Sequence, residues 1–475
     1  MELLLQIIPI FLLLIISIII IIIFSPKRWA QGRKKPGRQL APAPGWRLPV
    51  IGHLHHFLTS RQPPHRLLRE LSRKHGDVIR LELGEISHVL ISSAEAAMEL
   101  RRIATLELLT AKRVRSLRRV REAEVRTLVA SIAASSPGAT IDLTRMLFSF
   151  TYRIISMSTF GDVSRGQEEF IKVAEKLVEY AGGFKVAYLF PSNALVQMLS
   201  GTEEFLDGIQ KVVDGLAESM IEQHQARRAA QEGKSRAEEE EEDLLDVLLN
   251  LQENDTTLGF RLSTDAVKGF LLSETPAALI EWTMSELIKN PEVMYKAQSE
   301  VRRVFGGKGR VEEAGICELA YLKLVIKETL RLHTPAPLVL PRECREECRI
   351  SGYDIPLKTR ILVNAWAIAR DPRYWGEEAE KFMPERFLNN KVSFRGGDFE
   401  FLPFGAGRRM CPGMTFGLAA AELPLASLLF HFDWELPRGV EPTSFNMDEK
   451  FGVTLRRENH LELIPVVRYN PLPSI

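Results

Sequence analysis

The most informative ten residues of the chain are Phe404-Gly405-Ala406-Gly407-Arg408-Arg409-Met410-Cys411-Pro412-Gly413. Three glycines, a proline and two arginines surround one thiol. Gly407 and Gly413 permit tight turns and a close approach of backbone to a flat ligand. Pro412 suits the first turn of a helix, where its missing N–H costs nothing. The apolar run that follows, through Leu418, Leu423, Leu425 and Leu428, predicts that helix. Cys411 is then expected at a helix N-terminus, where the dipole and the unpaired N–H groups favour a thiolate. Arg409 can reach an anionic group on the ligand. A thiolate at such a turn can hold haem iron. Taken alone, however, Cys-Pro-Gly reads more simply as an inert cysteine in a tight loop.

The rest of the composition bounds the class. The chain has 475 residues, 45% hydrophobic and 26% charged. That suffices for a large core in one to three domains. Lys plus Arg is 62 and Asp plus Glu is 61, so the net charge is +1. A general nucleic-acid binder carries a basic excess, and this chain has none. Four cysteines (Cys317, Cys344, Cys348 and Cys411) are too few for a disulfide scaffold, which points to a reducing compartment. Cys344 and Cys348 supply half of a four-ligand zinc site, with no His or Cys pair nearby in sequence, and read as ordinary loop thiols.

Residues 3–24 are almost wholly apolar and would span about 33 Å as a helix, enough to cross a bilayer. Basic residues follow at Lys27, Arg28, Arg33, Lys34, Lys35 and Arg38. The expectation is a membrane anchor over 1–25 with the bulk of the chain cytosolic. Its alternative is an uncleaved secretory signal. A basic, Pro-rich hinge over 26–50 contains Ala41-Pro42-Ala43-Pro44-Gly45-Trp46, stiff and extended. Residues 51–475 form the remaining domain. Within it, 77–83 and 88–92 alternate like a hairpin around Gly84-Glu85. Residues 101–331 read as mostly helical. Strands return at 353–355, 360–363 and 452–465. The fold class is mainly α with small β-sheets. The segment 112–126 carries seven basic and two acidic residues, either a solvated helix face or a docking face for an acidic partner.

Residues 321–332 read as a helix in which Glu328 and Arg331, three apart, share a face with Tyr321 and Leu324. A charged pair among apolar positions suggests a buried hydrogen-bonded network. With the spacing Phe-x-x-Gly-x-Arg-x-Cys-x-Gly around Cys411, and with Pro384-Glu385-Arg386-Phe387, the chain resembles the cytochromes P-450. The likeness covers nearly the whole sequence and is closest to the membrane-bound plant class of specialised metabolism. The resemblance implies a helical bundle around haem b, with Cys411 as axial ligand and Phe404, Gly407 and Gly413 shaping its loop. It implies that Arg409, Arg342 and Arg101 hold haem propionates, and that Glu328, Arg331 and Arg386 form a structural network. It places Thr334, Ala336, Leu338, Val339, Phe451 and Val453 at the substrate pocket. It makes Glu274 and Thr275 the acid–alcohol pair of oxygen activation.

The sequence departs from that family twice. Between Leu100 and Arg101 the family carries roughly forty more residues, far beyond an ordinary connection, and Ala97 stands where it has Trp. Leu271 and Leu272 replace the two small residues before Glu274. The helix ahead of them is shorter by about six residues, a rotation of roughly 240°. These departures fit either a mis-spliced gene model or a protein of impaired activity.

The expected function is hydroxylation of a lipophilic small molecule, such as a terpenoid, in the endoplasmic-reticulum membrane. Electrons come from NADPH through a separate flavoprotein reductase, since no nucleotide-binding fingerprint is present. The segment 112–126 and Arg408 would face that reductase. Three alternatives stand beside this reading: a family member that rearranges oxygenated substrates, a non-catalytic haem or ligand binder, and an anchored structural protein.

Overall fold

A computed structural model describes residues 42–44, 53–60, 62, 64–83, 86–91, 117–160, 189, 199–201, 205, 208, 215, 274–344, 346–407, 410–411 and 413–471. The expected anchor, Arg101, Arg408, Arg409, Pro412, Leu271 and Leu272 lie outside these residues.

Near the start, α1 (His55–Thr59) and α2 (Pro64–His75) precede the hairpin β1 (Val78–Leu83) and β2 (Ile86–Ile91). The hairpin register runs from Val78 opposite Ile91 to Leu83 opposite Ile86. Two long helices follow, α3 (Arg118–Ala133) and α4 (Leu143–Phe160), separated by the short strand β3 (Ile141–Asp142). That strand interrupts a region the periodicity reads as helical. It forms because Leu463 and Glu462 near the C-terminus pair with Ile141 and Asp142, a long-range contact that local pattern does not encode.

The central body contains α5 (Thr275–Lys289), α6 (Pro291–Phe305) and α7 (Ala320–Leu332). Next come β4 (Arg342–Glu343), β5 (Cys348–Ile350), β6 (Tyr353–Ile355) and β7 (Arg360–Val363). The one-turn helices α8 (Ala365–Ile368) and α9 (Pro372–Trp375) lead toward α10 (Met414–His431). The chain ends through β8 (Phe432–Glu435), β9 (Glu449–Lys450), β10 (Arg456–Arg457) and β11 (Glu462–Val467). Among the described residues the strands form four small sheets, the four-stranded one ordered β1-β2-β7-β4. In it β2 and β7 pair in parallel, His88 opposite Arg360, and so join the two ends of the domain.

Helix α10 is the hub of the core, packing against α3, α5 and α6. Its composition would suit a membrane span, but 61% of it is buried inside the fold, which marks a core helix. Helix α5 is buried at every position from Pro276 to Ile288. Most of its polar side chains find partners inside the fold, as burial favours, although Glu281 Oε2 accepts no hydrogen bond among the described residues. Thr283 and Ser285 hydroxyls donate to the carbonyls of Leu279 and Glu281. The Glu281 carboxylate accepts from the Thr144 hydroxyl at 2.5 Å. Glu286 meets His333 Nε2 at 2.6 Å, and the His333 ring stacks on Trp282 with centroids 4.0 Å apart.

Helix α3 carries the second half of the basic segment and turns part of it inward. Its buried stripe is Arg121, Glu124, Val125, Leu128, Val129 and Ile132. Arg121 is fully buried and forks onto Glu313, with contacts of 2.7 and 2.5 Å. Arg118 is paired with Glu122 one turn on. Arg119 and Arg126 are exposed.

On α7, Glu328 and Arg331 are fully buried. Arg331 donates Nε and Nη2 to the two carboxylate oxygens of Glu328, at 2.8 and 2.7 Å. Its remaining donors go to the carbonyls of Ala369, Ala379 and Lys381. Glu328 also accepts from the Met383 N–H at 2.9 Å and from Arg386 Nε at 3.3 Å. Arg386 further donates to the carbonyls of Trp375 and Glu378. The Arg331 guanidinium lies 5.2 Å from the Trp375 ring. Removing one partner of a buried pair strands the other charge, at a cost of about 3–5 kcal/mol. Arg331→Ala is expected to lower the urea midpoint sharply, and Arg386→Ala to lower it less. Circular dichroism at increasing urea checks this. Equal midpoints for wild type and Arg331→Ala would refute the assignment.

Candidate functional site

The loop carrying Cys411 is closed by its own backbone. The Cys411 N–H donates to the Phe404 carbonyl at 2.9 Å. Inside it, Gly405 N–H reaches Leu402 and Met410 N–H reaches Gly407. Gly405 and Gly407 have φ of +68° and +72°, a left-handed conformation that residues with a Cβ adopt only at a cost. A Cβ on Gly405 would also lie 3.4 Å from a Val339 methyl, so loop and pocket segment approach closely there.

Aromatic rings support the loop from behind. Phe404 packs edge-on against Phe394, Phe394 against Phe401, and Phe401 against Trp375, with centroids 5.4, 6.0 and 5.9 Å apart. Trp375 is the ring beneath Arg331. A continuous packed path therefore runs from the buried charge network to the loop.

Cys411 itself is a free thiol on an exposed residue. Helix α10 begins at Met414 with Gly413 as its cap, so Cys411 sits two residues ahead of that cap. Burial pushes the Cys411 thiol above its ordinary value, while a hydrogen bond from the Gly413 backbone pulls it down. Among the described residues no group of three or more His, Cys, Asp or Glu side chains is placed to hold a bare ion. A single accessible thiol suits a metal that brings its other ligands in a macrocycle, so the donor set fits a haem.

The remaining residues singled out in the sequence divide into those brought together and those not. Glu328, Arg331 and Arg386 converge as described. Arg342 lies half-buried on β4, opposite Ile361 of β7. Thr334 is buried, and its hydroxyl donates back to Leu330 and Arg331. Ala336 accepts the Val339 N–H in a turn. Val339 has φ of +52°, rare for a β-branched residue and a mark of a tightly determined segment. Leu338 and Phe451 pack in one apolar cluster, and Val453 is half-buried.

Glu274 caps α5 and pairs with Arg456 of β10, whose guanidinium lies 4.5 Å from the Phe148 ring. Thr275 opens the helix and is exposed, and the next residue, Pro276, lies near Gly417 of α10.

A second buried network was not foreseen from sequence. Glu449 accepts from His65, Arg66 and the Trp366 indole at 3.0, 2.8 and 3.2 Å. Its carboxyl is held well below the usual carboxylate range: burial alone would raise it, and the His65 hydrogen bond and the charges of Arg370 and Arg66 outweigh that. His65 also stacks on Phe451, with centroids 5.7 Å apart. Glu449 lies 384 residues from His65 and 83 from Trp366, so no local spacing announces it.

Comparison with known proteins agrees with this architecture. The sequence profile described as Cytochrome P450 matches residues 88–462. The chain is 43% identical to desmethyl-deoxy-podophyllotoxin synthase of Sinopodophyllum hexandrum, over 95% of this chain and 96% of that protein. It is 42% identical to salviol synthase of Salvia pomifera, over 90% and 92%. It is 40% identical to germacrene A hydroxylase of Barnadesia spinosa, over 94% and 96%. These relatives are named as enzymes, which does not favour a non-enzymatic chain. The first alignment spans 496 positions, more than the 475 residues of this chain, so the relative carries residues with no counterpart here. With a profile match across most of its length and near-complete alignment to such relatives, the chain belongs to the cytochrome P450 family of haem b monooxygenases.

Proposed function

We propose that this chain hydroxylates a lipophilic small molecule of the terpenoid class, anchored by residues 1–25 in the endoplasmic-reticulum membrane with its catalytic domain cytosolic. The observation that carries the reading is the accessible Cys411 thiol at the end of a glycine-shaped, backbone-closed loop. The relatives named germacrene A hydroxylase and salviol synthase support the substrate class.

Cys411 would hold the iron, with Phe404, Gly407 and Gly413 shaping the approach. Arg342, with Arg409 and Arg101, would balance the propionate charges. The bound haem supplies activation of O₂, and a flavoprotein reductase supplies electrons from NADPH. Thr275 offers an exposed hydroxyl beside Glu274. The Glu274 carboxylate accepts from Arg456, so it passes a proton only by loosening that pair. Thr334, Ala336, Leu338, Val339, Phe451 and Val453 would orient the substrate by apolar shape. Arg119 and Arg126, the exposed arginines of α3, would meet an acidic reductase surface.

Membranes containing the expressed chain are expected to give a thiolate-type Soret band in the reduced, carbon-monoxide-bound difference spectrum. Cys411→Ser should abolish it at equal protein level. A band that survives the substitution would end the assignment of Cys411.

With reductase, NADPH and isotopically labelled O₂, terpenoid hydrocarbons should yield products heavier by one labelled oxygen atom. Turnover without NADPH would instead favour rearrangement of an oxygenated substrate.

Reversing charge at Arg119 and Arg126 should slow reductase-driven turnover and flatten its dependence on salt, because rim charges act mainly through association rate. Unchanged rates and salt dependence would remove α3 from the docking face.

A further inference from the structure

Cys344 and Cys348 take no part in the machinery described above. Their Sγ atoms lie 3.7 Å apart and share a hydrogen bond, and both residues are half-buried. Separate pieces of backbone hold them there. Cys344 follows β4, its N–H donating to the Thr359 carbonyl and its carbonyl accepting from the Lys358 N–H, at 2.9 and 2.8 Å. Cys348 opens β5, opposite Ile355 of β6. Both side chains pack on the apolar cluster that contains Ile350, Ile355 and Ile361. The same cluster takes in Val339 and Ala406.

We propose that Cys344 and Cys348 form a dithiol modification site, which a peroxide converts to an intramolecular disulfide. A disulfide bond measures about 2.05 Å, so the sulfurs need to close by only about 1.7 Å, within reach of side-chain rotation. Burial, with the neighbouring Cys348 adding to it, pushes the Cys344 thiol up to about 12, so Cys344 keeps its proton near neutral pH. The Cys348 sulfur attacks one peroxide oxygen and the O–O bond breaks. A sulfenic acid forms on Cys348, and water or an alcohol leaves with the thiol proton. The Cys344 sulfur then attacks the Cys348 sulfur. The S–S bond forms, the S–O bond breaks, and the hydroxyl leaves as water with the Cys344 proton. Two thiols lose two electrons and the peroxide gains them. The bridge fastens the β5–β6 hairpin to the edge of the four-stranded sheet, two residues beyond Arg342.

The test uses the full-length haem-loaded protein, treated with hydrogen peroxide, alkylated with iodoacetamide and digested with trypsin under non-reducing conditions. Trypsin cuts after Arg342, Arg345 and Arg349 and so separates the two cysteines. The expected product is peptide 343–345 joined to peptide 346–349, from the monomer band of a non-reducing gel, with Cys317 alkylated in the same sample. Cys348→Ser should eliminate the joined peptide and leave Cys344 alkylated. Both thiols alkylated after peroxide would overturn the proposal. So would sulfinic acid on either one without a joined peptide, or a joined peptide confined to a dimer band.

Discussion

Everything around the proposed haem site hangs on one buried carboxylate. Glu328 is fully buried, and an isolated ionised carboxylate there would cost several kcal/mol after relaxation. Its partners are Arg331, Arg386 and the Met383 N–H, and they answer that cost only if all stay in place. Arg331 in turn fixes three carbonyls between Ala369 and Lys381. The segment ahead of the Cys411 loop is therefore tied to α7 by charge-assisted bonds, and the rings from Trp375 to Phe404 transmit that placement by packing. The loop needs this external frame because its glycines supply little rigidity of their own.

Much of this was legible in the sequence where the signal is local. Strands 353–355 and 360–363 coincide with β6 and β7, because short apolar runs bounded by Gly and Pro have few other solutions. The hairpin of β1 and β2 follows from alternation around a glycine turn. Helix α7 was readable from its apolar period, and Glu328 and Arg331 stood out as charges on an apolar face. The long-range partners were not readable. Nothing near Arg121 names Glu313, and nothing near Glu449 names His65 or Trp366. Tyr321 shares a face with Glu328, yet its hydroxyl donates to Glu385 at 2.9 Å, 64 residues further along the chain.

The departures from the family pattern bear on the site unequally. The aligned span longer than the chain is in keeping with missing residues, and Arg101 and the stretch before Glu274 lie outside the described structure. The elements that frame Cys411 come from residues beyond 320 and from α5, and these pack densely around α10. Haem attachment and oxygen handling are thus separable demands. The first draws on the loop, the charge network and the ring path. The second draws on the amino end of α5.

That separation is sharpened by the carboxylates themselves. Glu449, surrounded by His65, Arg66, Arg370 and Trp366, is held as an anion and is unsuited to exchange a proton near neutral pH. Glu281 is the opposite case, since burial pushes its carboxyl up despite the Thr144 hydrogen bond. It lies sealed within α5. Glu274 differs from both, because it sits at the amino end of α5 against the Arg456 guanidinium, with its side chain 9% exposed. A carboxylate that relays a proton must first be released from such a pair. Of these three acids Glu274 alone lies at the amino end of α5, and its pair with Arg456, the residue after the Leu455 carbonyl that accepts the Trp282 indole N–H, holds it in place.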